Sequence, residues 1–238
     1  MTGGSSMSDS EESFSFSPEQ FSGNARVFPL PNLVMFPHVM QPLHIFEPRY
    51  RAMLEEALED DRLIAMGILA PGWEQQSEGR PTLRNTACLC RVATYQQTEK
   101  NTYNVLMLGV RRLRLVKELP PKKLFRVVES EILDDVLPED VAEAEVSELQ
   151  QSLLASFKRS LPKMPDSFEQ LDQLLGNQIT LGMLCDIVAY TINLDLESKV
   201  RLLAEVEVMR RAELLLAAIE GRPTGGGLRP FPPRFSVN

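Results

Sequence analysis

The stretch FPLPNLVMFPHVMQPLHIFEPRYRAMLEEAL, residues 28–58, constrains the fold more than any other part of the chain. It sets Pro29, Pro31, Pro37, Pro42 and Pro48 among apolar residues, and from Tyr50 onward the spacing changes. Each proline fixes its own φ, removes a donor and moves its predecessor out of the α region, so the first half reads as extended, interrupted strand. The apolar runs 33–36 and 43–46 suit a strand that turns corners, because ladder bonds are lost only at the breaks. Pro48 falls where a helix tolerates it, in the first turn, and Tyr50, Met53, Leu54, Ala57 and Leu58 then recur at one-sided helical spacing. The expected order is strand, corner, strand, helix.

On these residues the chain resembles the LON domain family, the N-terminal substrate-recognition domain of Lon-type ATP-dependent proteases. The family elements V-x-F-P-G/H, P-L-H-I-F and E-P-R-Y correspond to residues 34–38, 42–46 and 47–50, with His38 where the family often has glycine. A G-x-x-R element resembles residues 109–112, and an L-x-D-x-x-A helix matches Leu184, Asp186 and Ala189. The family's usual acidic-glycine hairpin turn is missing, and residues 97–101 stand in its place. The resemblance covers about residues 26–220. It implies an α+β fold: a PUA-like twisted, partly closed β-barrel of about six strands plus one helix, followed by a C-terminal helical bundle. The expected division is a flexible tail over 1–24, a barrel subdomain over 25–135, a helical bundle subdomain over 136–221 and a second flexible tail over 222–238.

Strand and helix signals fill in that outline. Residues 62–69 (RLIAMGIL) read as a buried strand with Gly67 at a bulge, and 71–81 read as a loop carrying the lone tryptophan, Trp73. Runs 87–94 and 103–110 form a hairpin, and 111–119 and 124–133 extend it to a four-strand meander. From Pro138 the period turns helical, with Ala142, Val146, Leu149, Leu153 and Phe157 on one stripe and Pro162 and Pro165 as stops. A short helix over 167–175 and a helix over 180–190 follow. Asp195 then caps a long helix with the stripe Leu202, Val206, Met209, Ala212, Leu216 and Ile219. The segment 222–238 is Pro- and Gly-rich and reads as loop or disorder.

Composition narrows the function. A net charge of −8 argues against general affinity for nucleic acid, since non-specific phosphate binding is driven by basic charge. The first residues have neither a basic start nor an apolar core, and no apolar run reaches bilayer length, so a soluble, cytoplasmic protein is expected. Cys88, Cys90 and Cys185 leave an odd thiol under any pairing, with Cys88 and Cys90 pointing the same way on one strand; reduced thiols are expected.

Chemistry is sparse. The glycine-rich segment 221–227 has no strand before it and no Lys-Ser/Thr after it, and no G-x-S-x-G or S-x-x-K string occurs. His38 and His44 with the three cysteines lack zinc-ligand spacing, and the acidic run 129–148 reads as a solvated face. The expectation is a protein without enzymatic activity, cofactor or metal. A basic run, with Arg111, Arg112, Arg114 and Lys117 in the lead, offers RNA binding as the alternative. Against it, stacking aromatics are nearly absent there, and charges on an outer strand face also discourage edge pairing. The leading reading is a surface for unfolded or extended polypeptide, or for a protein partner, as the family resemblance implies. Phe36, His38, Phe46, Tyr50 and Trp73 are the candidate contacts, each weighed against an inward-packed role.

Overall fold

The computed structural model describes residues 16–76, 80–160, 179–221 and 236–237. Its strands are β1 Asn24–Leu30, β2 Met40–Ile45, β3 Leu63–Leu69, β4 Leu83–Gln97, β5 Tyr103–Glu118, β6 Arg126–Leu133 and β7 Ser236–Val237. Its α-helices are α1 Pro48–Glu59, α2 Glu143–Ser160, α3 Leu181–Thr191, α4 Leu196–Ala204 and α5 Val208–Glu220.

The strands form one mixed sheet in the order β4-β3-β1-β6-β5-β2-β7, and a further β4–β5 pairing closes β4-β3-β1-β6-β5 into a circuit from which β2 and β7 extend. The circuit is not an evenly closed barrel. One edge of β5 is paired by β4 from Tyr103 to Arg114, whereas the other is divided between β2 at its start and β6 at its end. β1 and β3, inside the circuit's wall with helices outside it, are buried on both faces along most of their length. Ala25, Val27, Leu63, Ala65, Ala87, Leu89, Val110, Leu113, Leu115 and Val128 form one apolar cluster, in which small and medium side chains suit the narrow interior. The alternate positions Phe28, Leu30, Ile64, Met66, Ile68, Cys88, Cys90 and Val92 join a larger core that also holds buried residues of all five helices. That alternation explains why β3 is buried at every position. At Gly67 the β3–β4 register shifts, so the expected bulge is present.

Pro48 opens α1, whose buried residues are Tyr50, Met53, Leu54 and Ala57. The side chain of Thr180 caps α3 and that of Asp195 caps α4, accepting from the amides of Met183 and Ser198. At the β4–β5 hairpin Asn101 adopts φ +57° and Thr98 N donates to Thr102 O at 2.8 Å. Asparagine thus supplies the left-handed residue that a glycine turn would have provided.

Several expectations are corrected. Residues 33–36 are buried but form no strand; the loop 31–39 instead crosses β5 at Gly109. There His38 N donates to Gly109 O at 2.8 Å and Gly109 N donates to Val39 O at 2.9 Å, so loop amides find partners at a crossing rather than in a ladder. Residues 111–118 continue β5 without a break, so the meander has three strands. Ala142 lies before α2 and is exposed. The expected long C-terminal helix is broken at 205–207, where Val136 N donates to Val206 O at 2.8 Å and Val208 N donates to Val136 O at 2.9 Å. Arg211 Nη1 also donates to Glu205 O at 2.8 Å, so the break is stabilised by groups an unbroken helix would have left without these partners. The expected helix over 167–175 lies outside the described residues. Within the segment read as loop or disorder, Ser236–Val237 pair with β2.

Candidate functional site

A cleft of about 440 Å³ opens where the end of β1, the start of α1 and the loops around Trp73 and Phe125 converge. Its apolar lining includes Pro29, Pro31, Tyr50, Leu69, Trp73 and Leu124. Tyr50 is placed by the helix start: its ring meets Phe28 edge-on at 4.4 Å between centroids, and the Arg49 guanidinium lies 4.5 Å above it. Burial pushes the Tyr50 phenol above its ordinary range. Leu124, 72% exposed, projects an aliphatic side chain at the rim, an arrangement that costs solvation unless something covers it. The arginines of the cleft are already engaged. Arg80 Nη1 bonds Glu118 Oε1 at 2.8 Å, Arg126 Nε bonds the same carboxylate at 3.0 Å, and Arg49 reaches Glu47 at 2.8 Å. Burial opposes ionisation of Glu118, yet the Arg126 and Arg80 hydrogen bonds hold its carboxyl below the usual range. The cleft is therefore an aromatic and aliphatic groove in which each arginine is already paired with a carboxylate, suited to apolar side chains of an extended chain.

The five candidate contacts do not converge. Tyr50 and Trp73 share this cleft. Phe36 is fully buried in the core beneath the crossing loop, so it packs inward rather than facing a ligand. Phe46, 39% exposed, sits just beyond β2 with its ring stacked on His44 at 6.1 Å. His38 is exposed at φ +64° and lines a second, smaller cleft of about 260 Å³ with Pro37, Arg111, Arg112, Asp134 and Asp135. Although His38 reaches solvent, the protein around its ring lowers its pKa.

Beneath that second cleft lies a buried charge cluster. Arg112, 2% exposed, makes a bidentate pair with the carboxylate of Asp186 and reaches Asp135 Oδ1 at 3.2 Å. Arg211, also buried, bonds Asp135 Oδ2 at 2.6 Å, and its Nε lies 3.9 Å from Asp186. Two cations and two carboxylates balance, joining β5 to α3 and α5 through the chain segment at Asp135. Burial pushes the Asp186 carboxyl up to about 6 against the pull of Arg112 and Arg211, which leaves it ionised at neutral pH. Burial works against Asp135 too, but the Arg211 hydrogen bond keeps its carboxyl below the usual range.

This cluster corrects the nucleic-acid alternative at Arg112, which is turned into the protein and cannot meet a phosphate. Arg114 is exposed but bonds Glu131 at 2.7 Å, Arg111 lies 5.4 Å over the Phe16 ring, and Lys117 is exposed opposite Glu129 in the β5–β6 register. Sequence reasoning missed Arg211 and Asp135. The available signal was Arg211's position at the spacing of Val208, Ala212 and Leu215, the buried face of α5. Among the described residues no group of three or more His, Cys, Asp or Glu side chains could hold a metal ion, and no helix is long and apolar enough to cross a membrane.

A mixed sheet crossed by a proline-rich loop and closed by helices is the fold of Lon N-terminal domains. The N-terminal domain of Mycobacterium avium complex Lon protease superposes with a TM-score of 0.63 at 16% identity, covering 84% of this chain and 100% of that one. A Lon N-terminal domain protein from Xanthomonas campestris gives 0.58 at 18% identity, covering 82% and 97%. Residues 24–220 match the ATP-dependent protease La (LON) substrate-binding domain, and the chain belongs to that family. Among curated relatives, Lon protease of Anaeromyxobacter dehalogenans is 25% identical over 195 residues, 80% of this chain and 22% of that protein. Lon protease 2 of Desulfotalea psychrophila is 27% identical over 200 residues, 80% of this chain and 24% of that protein. The chain thus spans about a quarter or less of the length of these relatives.

Proposed function

We propose that this chain is a non-enzymatic, cytoplasmic module that binds unfolded or extended polypeptide, and that the cleft between Tyr50, Trp73 and Leu124 takes the apolar side chains of that ligand. One observation carries the reading: this cleft of about 440 Å³ combines aromatic and aliphatic walls with arginines already paired to Glu118 and Glu47. Such a site favours apolar area over charge and sequence, as a recogniser of unrelated unfolded chains requires. Membership of a substrate-binding domain family supports the same reading.

Trp73 is the only tryptophan, so intrinsic fluorescence reports directly on the cleft. Titration with a reduced, carboxymethylated polypeptide should give a saturable blue shift. By a labelled-ligand assay, Trp73→Ala and Leu124→Asp should weaken binding about fivefold to thirtyfold, the size of one interface anchor. Failure of every unfolded probe to bind, or equal binding by both variants and wild type, refutes the proposal. Salt-sensitive binding of single-stranded RNA that is lost in Arg114→Glu would replace it with the nucleic-acid reading.

A further inference from the structure

We infer that the outer edge of β2 is a strand-addition site for extended polypeptide, and that Ser236–Val237 occupies it in cis as an internal competitor. The inference rests on the polypeptide-binding reading above and adds where the ligand's main chain is held and what restrains access.

β2 is paired on one side by β5 over its whole length, Met40 to Ile45. On its other side the only pairing among the described residues is the parallel one of Leu43 with Ser236 and His44 with Val237. The rest of that edge, from Met40 through Pro42, has no strand partner among the described residues. Pro42 fits this geometry. A proline within a sheet places its missing donor toward an open edge, and alternation along the strand then turns the His44 amide to that same edge, beside Val237. The proline leaves a gap that discourages uncontrolled sheet stacking, and Gln41 Nε2 donates to the Pro42 carbonyl at 2.8 Å, so the Met40 carbonyl and, once β7 is displaced, the main-chain groups of His44 are left to receive a guest.

The side chains flanking the edge suit such a guest. Burial along β2 alternates, with Met40, Pro42 and His44 toward solvent and Gln41, Leu43 and Ile45 inward. Met40 is 50% exposed and Phe46 39%, so apolar area stands at both ends of the strand. His44 is held between them by a 2.8 Å hydrogen bond from Nδ1 to Asn104 Oδ1 and by its stack on Phe46. Main-chain bonding supplies affinity that does not depend on sequence, and alternate apolar contacts add to it. A two-residue pairing is short enough to be displaced, whereas tethering sets its effective concentration on the order of millimolar. An occupant present half to nine-tenths of the time lowers apparent affinity for a competing ligand about twofold to tenfold.

The test compares full-length wild type with the full-length double variant Ser236→Pro, Val237→Pro, which removes both donors of β7. The probe is a fluorescently labelled, reduced and carboxymethylated polypeptide, and amide hydrogen exchange is followed over residues 40–45. The double variant should bind about twofold to tenfold more tightly, and its β2 amides should lose protection and regain it with the probe. A synthetic peptide of residues 228–238 should displace the probe from the double variant. Unchanged affinity and unchanged β2 exchange would overturn the inference, and if Trp73→Ala still weakened binding in both backgrounds, the cleft reading would stand without it. Absence of binding by either form would sink both together.

Discussion

Gly109→Ala tests the element on which the opening motif is seated. A Cβ built on Gly109 would lie 2.0 Å from the Phe36 carbonyl oxygen, 2.8 Å from its carbon and 3.1 Å from Pro37 Cα. All three are backbone atoms, so no rotamer change relieves the clash. Carbon atoms pack at roughly 3.5–4.0 Å, so the loop must lift from β5 by on the order of 1 Å. Lifting it stretches the two hydrogen bonds that pin it, His38 N to Gly109 O at 2.8 Å and Gly109 N to Val39 O at 2.9 Å. Overpacking costs about 1–3 kcal/mol and each strained bond about 0.5–1.5 kcal/mol, which gives about 2–6 kcal/mol in all. That is a large part of the roughly 5–15 kcal/mol that holds a domain together. Urea unfolding followed by Trp73 fluorescence and far-UV circular dichroism should show a midpoint lower by at least about 0.7 M, given slopes of about 1–3 kcal/mol per molar. A Gly109→Ala variant within about 0.5 kcal/mol of wild type would refute the reasoning, because it would mean the crossing is not in contact.

Asp186→Asn should change how stability depends on pH. Burial raises the folded-state carboxyl from 3.8 to about 6, so between about pH 4 and 6 the native state binds more protons than the unfolded one. Wild type should therefore lose up to about 3 kcal/mol as pH rises through that window. His38, whose lowered pKa makes stability rise with pH near its own titration, opposes this, so the readout is the difference between wild type and Asp186→Asn in urea midpoints at each pH; a constant difference from pH 4 to 7 contradicts the assignment. His38→Gly should be neutral or stabilising by up to about 1 kcal/mol, because a left-handed conformation strains every side chain but glycine's, and a lower melting temperature would contradict it. Arg26→Met should lower stability by about 1–3 kcal/mol in calorimetry, since Arg26 ties β1 to the end of α1 through Glu56 at 2.8 Å and Asp61 at 2.7 Å; an unchanged transition would show that solvent screens the network completely. Cys88, Cys90 and Cys185 are buried free thiols, and burial pushes Cys185 up to about 12, so none should react with a disulfide reagent until the protein is unfolded. Prompt modification of the native protein would argue against the packing described.

Local chemistry made much of the fold legible. Pro48 marked the start of α1, Asp195 the cap of α4, Gly67 a bulge, and the apolar run at β3 a strand buried on both faces. Errors arose where backbone groups found partners far away in sequence. Residues 33–36 have the composition of a strand but spend their extended conformation on a crossing at Gly109, more than seventy residues on. The stripe from Leu202 to Ile219 is compatible with one helix, and only the approach of Val136 makes a break at 205–207 favourable. Of the candidate contacts, aromatic character could not separate Phe36, wholly buried, from Trp73 at the cleft, because an apolar run reads alike whether its faces meet core or solvent.

The basic strand shows why the most telling site was the hardest to read. Strict alternation along β5 would put Arg112 and Arg114 on one face and Arg111 on the other. The β4–β5 register shifts between Leu89 and Cys90, opposite Val110, and the β5–β6 register shifts between Leu115 and Lys117. Neither shift falls between Arg112 and Arg114, so the two share a face, and what separates them is what lies over it: Asp186 of α3 and Asp135 cover Arg112, whereas Arg114 pairs with Glu131 at the surface. Arg112's partner Asp186 lies 74 residues away on a helix whose other neighbours are apolar, where a lone carboxylate reads only as a costly oddity. The two anomalies explain each other once they meet: a buried arginine and a buried aspartate are each unfavourable alone, and together with Arg211 and Asp135 they form a balanced joint between sheet and helices. The G-x-x-R and L-x-D-x-x-A elements are therefore two halves of one physical contact. The glycine of the first lets the opening loop cross β5, and its arginine three residues later locks that same strand to α3.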